Sequence, residues 1–219
     1  MTRLRLAALA AALTLCLGAC QAGQASFDPN GPCTTDGRAP GGYPDLEARL
    51  PPSLGGIEPA GASASAGADV APTTVDSGRN CTEDALSTLS THGVTELRFA
   101  GATWDQGGGD GTVSAFFTTP TGQPALEAAW MEEFYETGAR ASGKTENIEI
   151  SRPTIGPAGE VYRLDTLNEL SLQSLVVWPA EGGVRVVIVA TRVAPDASRA
   201  EHDAALELAV EQSVTRTEP

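Results

Sequence analysis

Apolar and polar positions alternate clearly only in the second part of the chain. Within residues 95–104, Leu97 and Phe99 interleave with Glu96 and Arg98, the period-two pattern of a half-buried strand. Residues 112–119 (TVSAFFTT) predict its partner, with the glycine-rich loop 105–111 between them. Just upstream, Thr82 is placed to cap a helix that opens with Glu83 and Asp84, carries Leu86 and Leu89 on its inner stripe, and stops at Gly93. A second helix is expected from Pro124 to about Ser142, ended by Gly143. Leu126, Trp130 and Phe134 repeat at i, i+4 and i+8, with Met131 and Tyr135 beside them.

Four more strands are predicted at 145–151, 160–166, 171–178 and 184–192, the last two joined by the hairpin signal Pro179-Ala180-Glu181-Gly182-Gly183. Val186, Val187, Ile188 and Val189 are apolar on both faces, which marks a central strand. The last helix opens on Ser198-Arg199-Ala200-Glu201, a capping box, and runs to about Val214. The order α-β-β-α-β-β-β-β-α has few parallel crossovers. It predicts an α+β fold: a two-layer sandwich with a mostly antiparallel sheet of about six strands and three helices.

The first residues follow another pattern. A basic start, MTRLR, precedes the uncharged stretch 6–17. That run is shorter than the roughly 20 apolar residues of a membrane-spanning helix, and no stop-transfer charges follow, so it has the character of a signal-peptide core. It closes on Leu17-Gly18-Ala19-Cys20, which resembles the lipobox of bacterial prolipoproteins. The resemblance implies diacylglycerol on the Cys20 thiol, cleavage before Cys20 and, in many bacteria, an acyl group such as palmitate on the new amine. Residues 1–19 would then be a lipoprotein signal peptide and the chain an exported protein, lipid-anchored on the extracytoplasmic face of the cell membrane. A plain secretory signal with an incidental cysteine is the alternative. The spacing Glu47-x-x-Leu50-Pro51-x-x-x-Gly55-Gly56 resembles lipoproteins of high-GC bacteria and brings no function with it.

Loss of residues 1–19 would remove Arg3 and Arg5 and Cys16. It leaves 12 basic against 28 acidic residues, a net charge of −16. A domain so acidic repels phosphate backbones, which disfavours nucleic acid as a partner, and membrane affinity must come from the lipid. Besides Cys20, only Cys33 and Cys81 remain, and two cysteines in an exported chain read as one disulfide. Residues 20–32 then form a flexible tether, and a single domain spans 33–215. Within it, 44–50 has room for one or two helical turns before Pro51-Pro52, and 51–80 is a segment rich in Pro, Gly, Ala and Ser bracketed by the disulfide.

Candidate chemistry is sparse. No G-x-S-x-G, H-E-x-x-H or C-x-x-C motif occurs. The two histidines, His92 near a helix C-terminus and His202 between Glu201 and Asp203 on the polar side of the last helix, read as structural or incidental, with His202 expected to face solvent. Asp105 and Asp110 are the one weak candidate for an oxygen-ligated cation, set against an ordinary hairpin connector; no cofactor is implied. Trp104, Trp130, Trp178, Phe99, Phe116, Phe117, Phe134 and Tyr162 are expected to fill the core rather than line an apolar ligand cavity. The preferred expectation is a non-catalytic, membrane-anchored module that binds a ligand or protein partner at the cell surface. A surface hydrolase with a carboxylate site and a carrier of a lipid or hydrophobic small molecule are the alternatives.

Overall fold

The computed structural model describes residues 27–55, 69–107, 109–143, 145–168, 171–193 and 199–215. In chain order the elements are β1 (Gly37–Ala39), α1 (Pro44–Glu47), β2 (Leu54–Gly55), β3 (Asp69–Val70), β4 (Thr74–Asn80) and α2 (Glu83–Leu86), followed by a 3-10 turn (Leu89–His92). There follow β5 (Leu97–Gly107), β6 (Asp110–Thr118), α3 (Ala128–Ala141), β7 (Glu146–Ser151), β8 (Thr154–Ile155), β9 (Gly159–Glu160), β10 (Tyr162–Asn168), β11 (Ser171–Ala180), β12 (Gly183–Arg192) and α4 (Arg199–Thr215). The lipobox and Cys20 lie outside the described residues, as does Ser198 of the expected capping box.

The fold is α+β, built on one eight-stranded antiparallel sheet in the order β1-β4-β5-β6-β12-β11-β10-β7. β12 lies between β6 and β11, as its two apolar faces require. Two strands beyond the expected six, β1 and β4, come from the stretch that carries no readable period. β4 is TVDSGRN, with Val75 as its only large apolar side chain, so pairing with β5 rather than its own pattern makes it a strand. Gly78 is required there: a Cβ would stand 2.2 Å from the Gly37 carbonyl oxygen of β1. The β5–β6 hairpin is also tighter than the expected loop, since β5 runs to Gly107 and β6 resumes at Asp110.

Because alternate residues of the central strands are apolar on opposite faces, the sheet carries a core on each. On one face Phe99, Phe117, Leu164, Leu175, Val177 and Val186 pack beneath Met131 and Tyr135 of α3, with Leu86 and Leu89 at the side. On the other, Trp104, Phe116, Trp178, Val187 and Val189 pack beneath Leu206, Ala209 and Val210 of α4 and Leu46 of α1. Helices therefore cover both faces of the sheet.

Local signals set most boundaries. Thr82 Oγ1 accepts the Ala85 N–H at 3.3 Å and Gly93 closes the following turn at φ 81°, as its position suggests. The helical stretch between them is broken into α2 and the 3-10 turn. α3 starts at Ala128, not near Pro124, because the preceding residues fold as a turn. The Thr119 hydroxyl donates to the Pro124 carbonyl at 2.7 Å, and Gln123 Oε1 accepts the N–H groups of Thr95 and Glu96 at 2.8 and 3.2 Å. The expected disulfide joins Cys33 to Cys81, 48 residues apart, and fixes the start of the domain to the end of β4.

Candidate functional site

The cleft that opens beside α3 follows from its own inner stripe. Met131 and Tyr135 are buried against the sheet; at the same face the next residues are Gly138 and Ser142. The sheet changes in step. Leu164 pairs with Leu175 across β10 and β11, and the next pair on that face is Thr166 with Gln173. Both surfaces thus switch from large apolar to small or polar side chains at the same level, and the space between helix and sheet stays unfilled. A Cβ added at Gly138 would meet nothing within 4 Å.

The resulting cleft has a volume of about 580 Å³, within the range that takes small-molecule ligands. Its apolar lining is Phe99, Leu164 and Leu175 from the sheet with Phe134 and Tyr135 from α3. Hydroxyls and an amide are interspersed: Thr88, Thr137, Ser142, Thr145, Thr166 and Gln173. Asp36, Arg38, Asn80, Thr82 and Asp84 border it at the β1–β4–α2 junction, beside the disulfide. Of the expected aromatic set, Phe99 and Phe134 line the cleft. Trp104, Trp178 and Phe116 belong to the α4-side core, Phe117 and Tyr162 to the α3-side core, and Trp130 stacks on the His92 ring at 4.7 Å. The usable signal for this site was the small residue pair Gly138 and Ser142 in an otherwise large apolar stripe.

The ionisable groups at the cleft are mostly engaged. Asp36 Oδ1 accepts the N–H groups of Cys81 and Thr82 at 2.7 and 3.1 Å, and Oδ2 accepts the Thr82 hydroxyl at 2.8 Å. Arg38 pairs with Asp76 at 3.3 Å. Asp84 sits exposed in the first turn of α2, where a carboxylate complements the helix end. Neither histidine reaches this space: the lining contains no imidazole to serve as a base.

His202 is not solvent-facing. It is 3 % exposed, inserted between α4 and the sheet within a polar cluster. The Ser174 hydroxyl donates to Asp165 Oδ1, so the 2.7 Å contact between Ser174 Oγ and His202 Nε2 is donated by the ring. Nδ1 is then the acceptor, fed by the Thr191 hydroxyl at 2.7 Å. Arg163 and Arg199 pair with Asp165 and Asp203 around this chain. Burial pushes the imidazole down to about 4, against the pull of Asp165 and Asp203. The direction of proton donation is opposite to that of a hydrolytic triad, in which histidine takes the proton of serine. The sequence hid this cluster because its members lie on β10, β11, β12 and α4.

The other expected positions make local contacts. Asp105 accepts the Gly107 N–H at 2.8 Å, and Asp110 accepts the Arg192 N–H. Among the described residues no group of three or more His, Cys, Asp or Glu side chains could hold a metal ion. His92 Nε2 is 2.9 Å from Glu133 Oε2. A second, polar hollow is bordered by Arg79 and Arg98. Arg79 donates to the carbonyls of Gly31, Asp28 and Pro32 at 2.8 to 3.1 Å, and Arg98 pairs with Glu96 at 2.6 Å. Among the described residues no helix is long and apolar enough to cross a membrane. No protein-family model, curated protein or solved structure matches the chain, so the cleft between α3 and the sheet is read from its geometry alone.

Proposed function

We propose that this chain is an exported lipoprotein, anchored through lipid on Cys20 at the extracytoplasmic face of the membrane, whose domain is a non-catalytic binding module with its site in the α3 cleft. The cleft itself carries the reading: about 580 Å³ lined by buried aromatic and leucine side chains with scattered hydroxyls, the usual character of a ligand site. Among the described residues of its lining the carboxylates are Asp36 and Asp84, and they do not form an acid–base pair, since Asp36 is held by three hydrogen bonds at the β4–α2 junction. The lipobox and the disulfide agree on export.

The anchor is tested by replacing Cys20 with alanine and separating membrane from soluble fractions. The wild type should sediment with membranes and Cys20→Ala should leave them. Sedimentation of both would overturn the anchoring.

A further inference from the structure

We infer that the cleft takes a single-chain amphiphile whose head is neutral or cationic, and discriminates against the same chain bearing a carboxylate or phosphate. The inference rests on the cleft being the binding site. Size sets the first limit: about 580 Å³ suits one chain or a drug-sized body rather than a lipid with several tails. Phe99, Leu164 and Leu175 supply an apolar floor for that chain.

Charge sets the second limit. Among the described residues of the lining the one cation is Arg38, which is paired with Asp76, while Asp36 and Asp84 stand at the border. Gly138, Ala139 and Ala141 of the last turn of α3 also line the cleft, where a helix C-terminus presents carbonyl oxygens and a partial negative charge, while Arg140 of that turn is paired with Glu136. The whole chain carries a net charge of −14. An anionic head would therefore meet the carboxylates of Asp36 and Asp84, and among the described residues of the lining the guanidinium it could approach, Arg38, is already shared with Asp76. A hydroxyl, amide or ammonium head finds acceptors in the helix end and partners in Thr166 and Gln173.

The test uses the full chain carrying Cys20→Ser, purified without detergent, and three probes that share one dodecyl-length chain: monolauroylglycerol, dodecyltrimethylammonium and laurate, each below its aggregation concentration. Titration calorimetry should give binding of the first two, with laurate at least about tenfold weaker. Gly138→Leu, whose side chain would project into the cleft, should weaken the first two by at least about tenfold while holding or raising the melting temperature, since leucine is the better helix former. Laurate binding as tightly as the others, with Gly138→Leu abolishing all three, would overturn the head-group inference and leave the cleft as the site. Binding of none of the probes, or equal binding to wild type and Gly138→Leu, would overturn the cleft itself.

Discussion

His202 Nε2 lies 2.7 Å from Ser174 Oγ, inside the interface between α4 and the sheet. The first turns of α4 are therefore held by a directed chain, Thr191 to His202 to Ser174 to Asp165, while its later turns are held by Leu206, Ala209 and Val210, each 0 % exposed. A buried polar chain specifies one register for the helix, because each donor along it is matched by an acceptor at one fixed place on the sheet or helix.

Stability should fall as the pH drops from about 6.5 towards 4. His202 titrates near 6.5 when unfolded and near 4 when folded, so the unfolded chain binds the proton first. The stabilisation is fully present above 6.5 and is lost through that window, roughly 3 kcal/mol by its lower end. Urea unfolding across this range checks it. His202→Gln should flatten the slope, and a slope unchanged in His202→Gln would refute the assignment.

Truncating Asp165 should be costly. It is 5 % exposed and faces Arg163, Arg199 and Ser174, so Asp165→Ala leaves the buried Ser174 hydroxyl without its acceptor and the two guanidiniums with Asp203 alone, at about 3 kcal/mol. Ser174→Ala should cost about 1–3 kcal/mol, and the double variant less than the sum, because both break the same chain. Strict additivity in denaturant unfolding would contradict the linkage.

Reduction of Cys33–Cys81 should destabilise the domain by about 4 kcal/mol, because the unfolded chain regains the entropy that closing so long a loop had removed. The effect should concentrate at the β1–β4 edge, where Arg79 and Asp36 tie the same segment. Amide exchange with and without reductant would reveal it, and unchanged protection along β4 would count against it.

Much of this architecture is written in periodicity. Residues 95–104 alternate strongly enough to be read directly, the signal Pro179–Gly183 marks 171–178 and 184–192 as a hairpin, and Val186–Val189 announces the central strand. β1 and β4 could not be read, since a polar strand such as TVDSGRN is made by its neighbours. The cysteine pair was legible from the cysteine count once export was expected. The burial of His202 was not, because its flanking acids gave the helix a polar surface there while β10, β11 and β12 supplied the partners from afar.

Gly138→Ala should stabilise the fold by about 1 kcal/mol, because the new methyl meets nothing within 4 Å and alanine removes the helix penalty of glycine. Thermal unfolding would check this; a lowered melting temperature would mean that the space beside α3 is filled.

Native mass spectrometry of the chain drawn from its own membranes addresses anchor and cleft in one spectrum. The predicted result is a covalent mass for a chain beginning at Cys20 with added diacylglycerol and acyl groups, together with a non-covalent small-molecule adduct that Gly138→Leu abolishes. A chain retaining residues 1–19 without lipid, or adducts identical in wild type and Gly138→Leu, would contradict it.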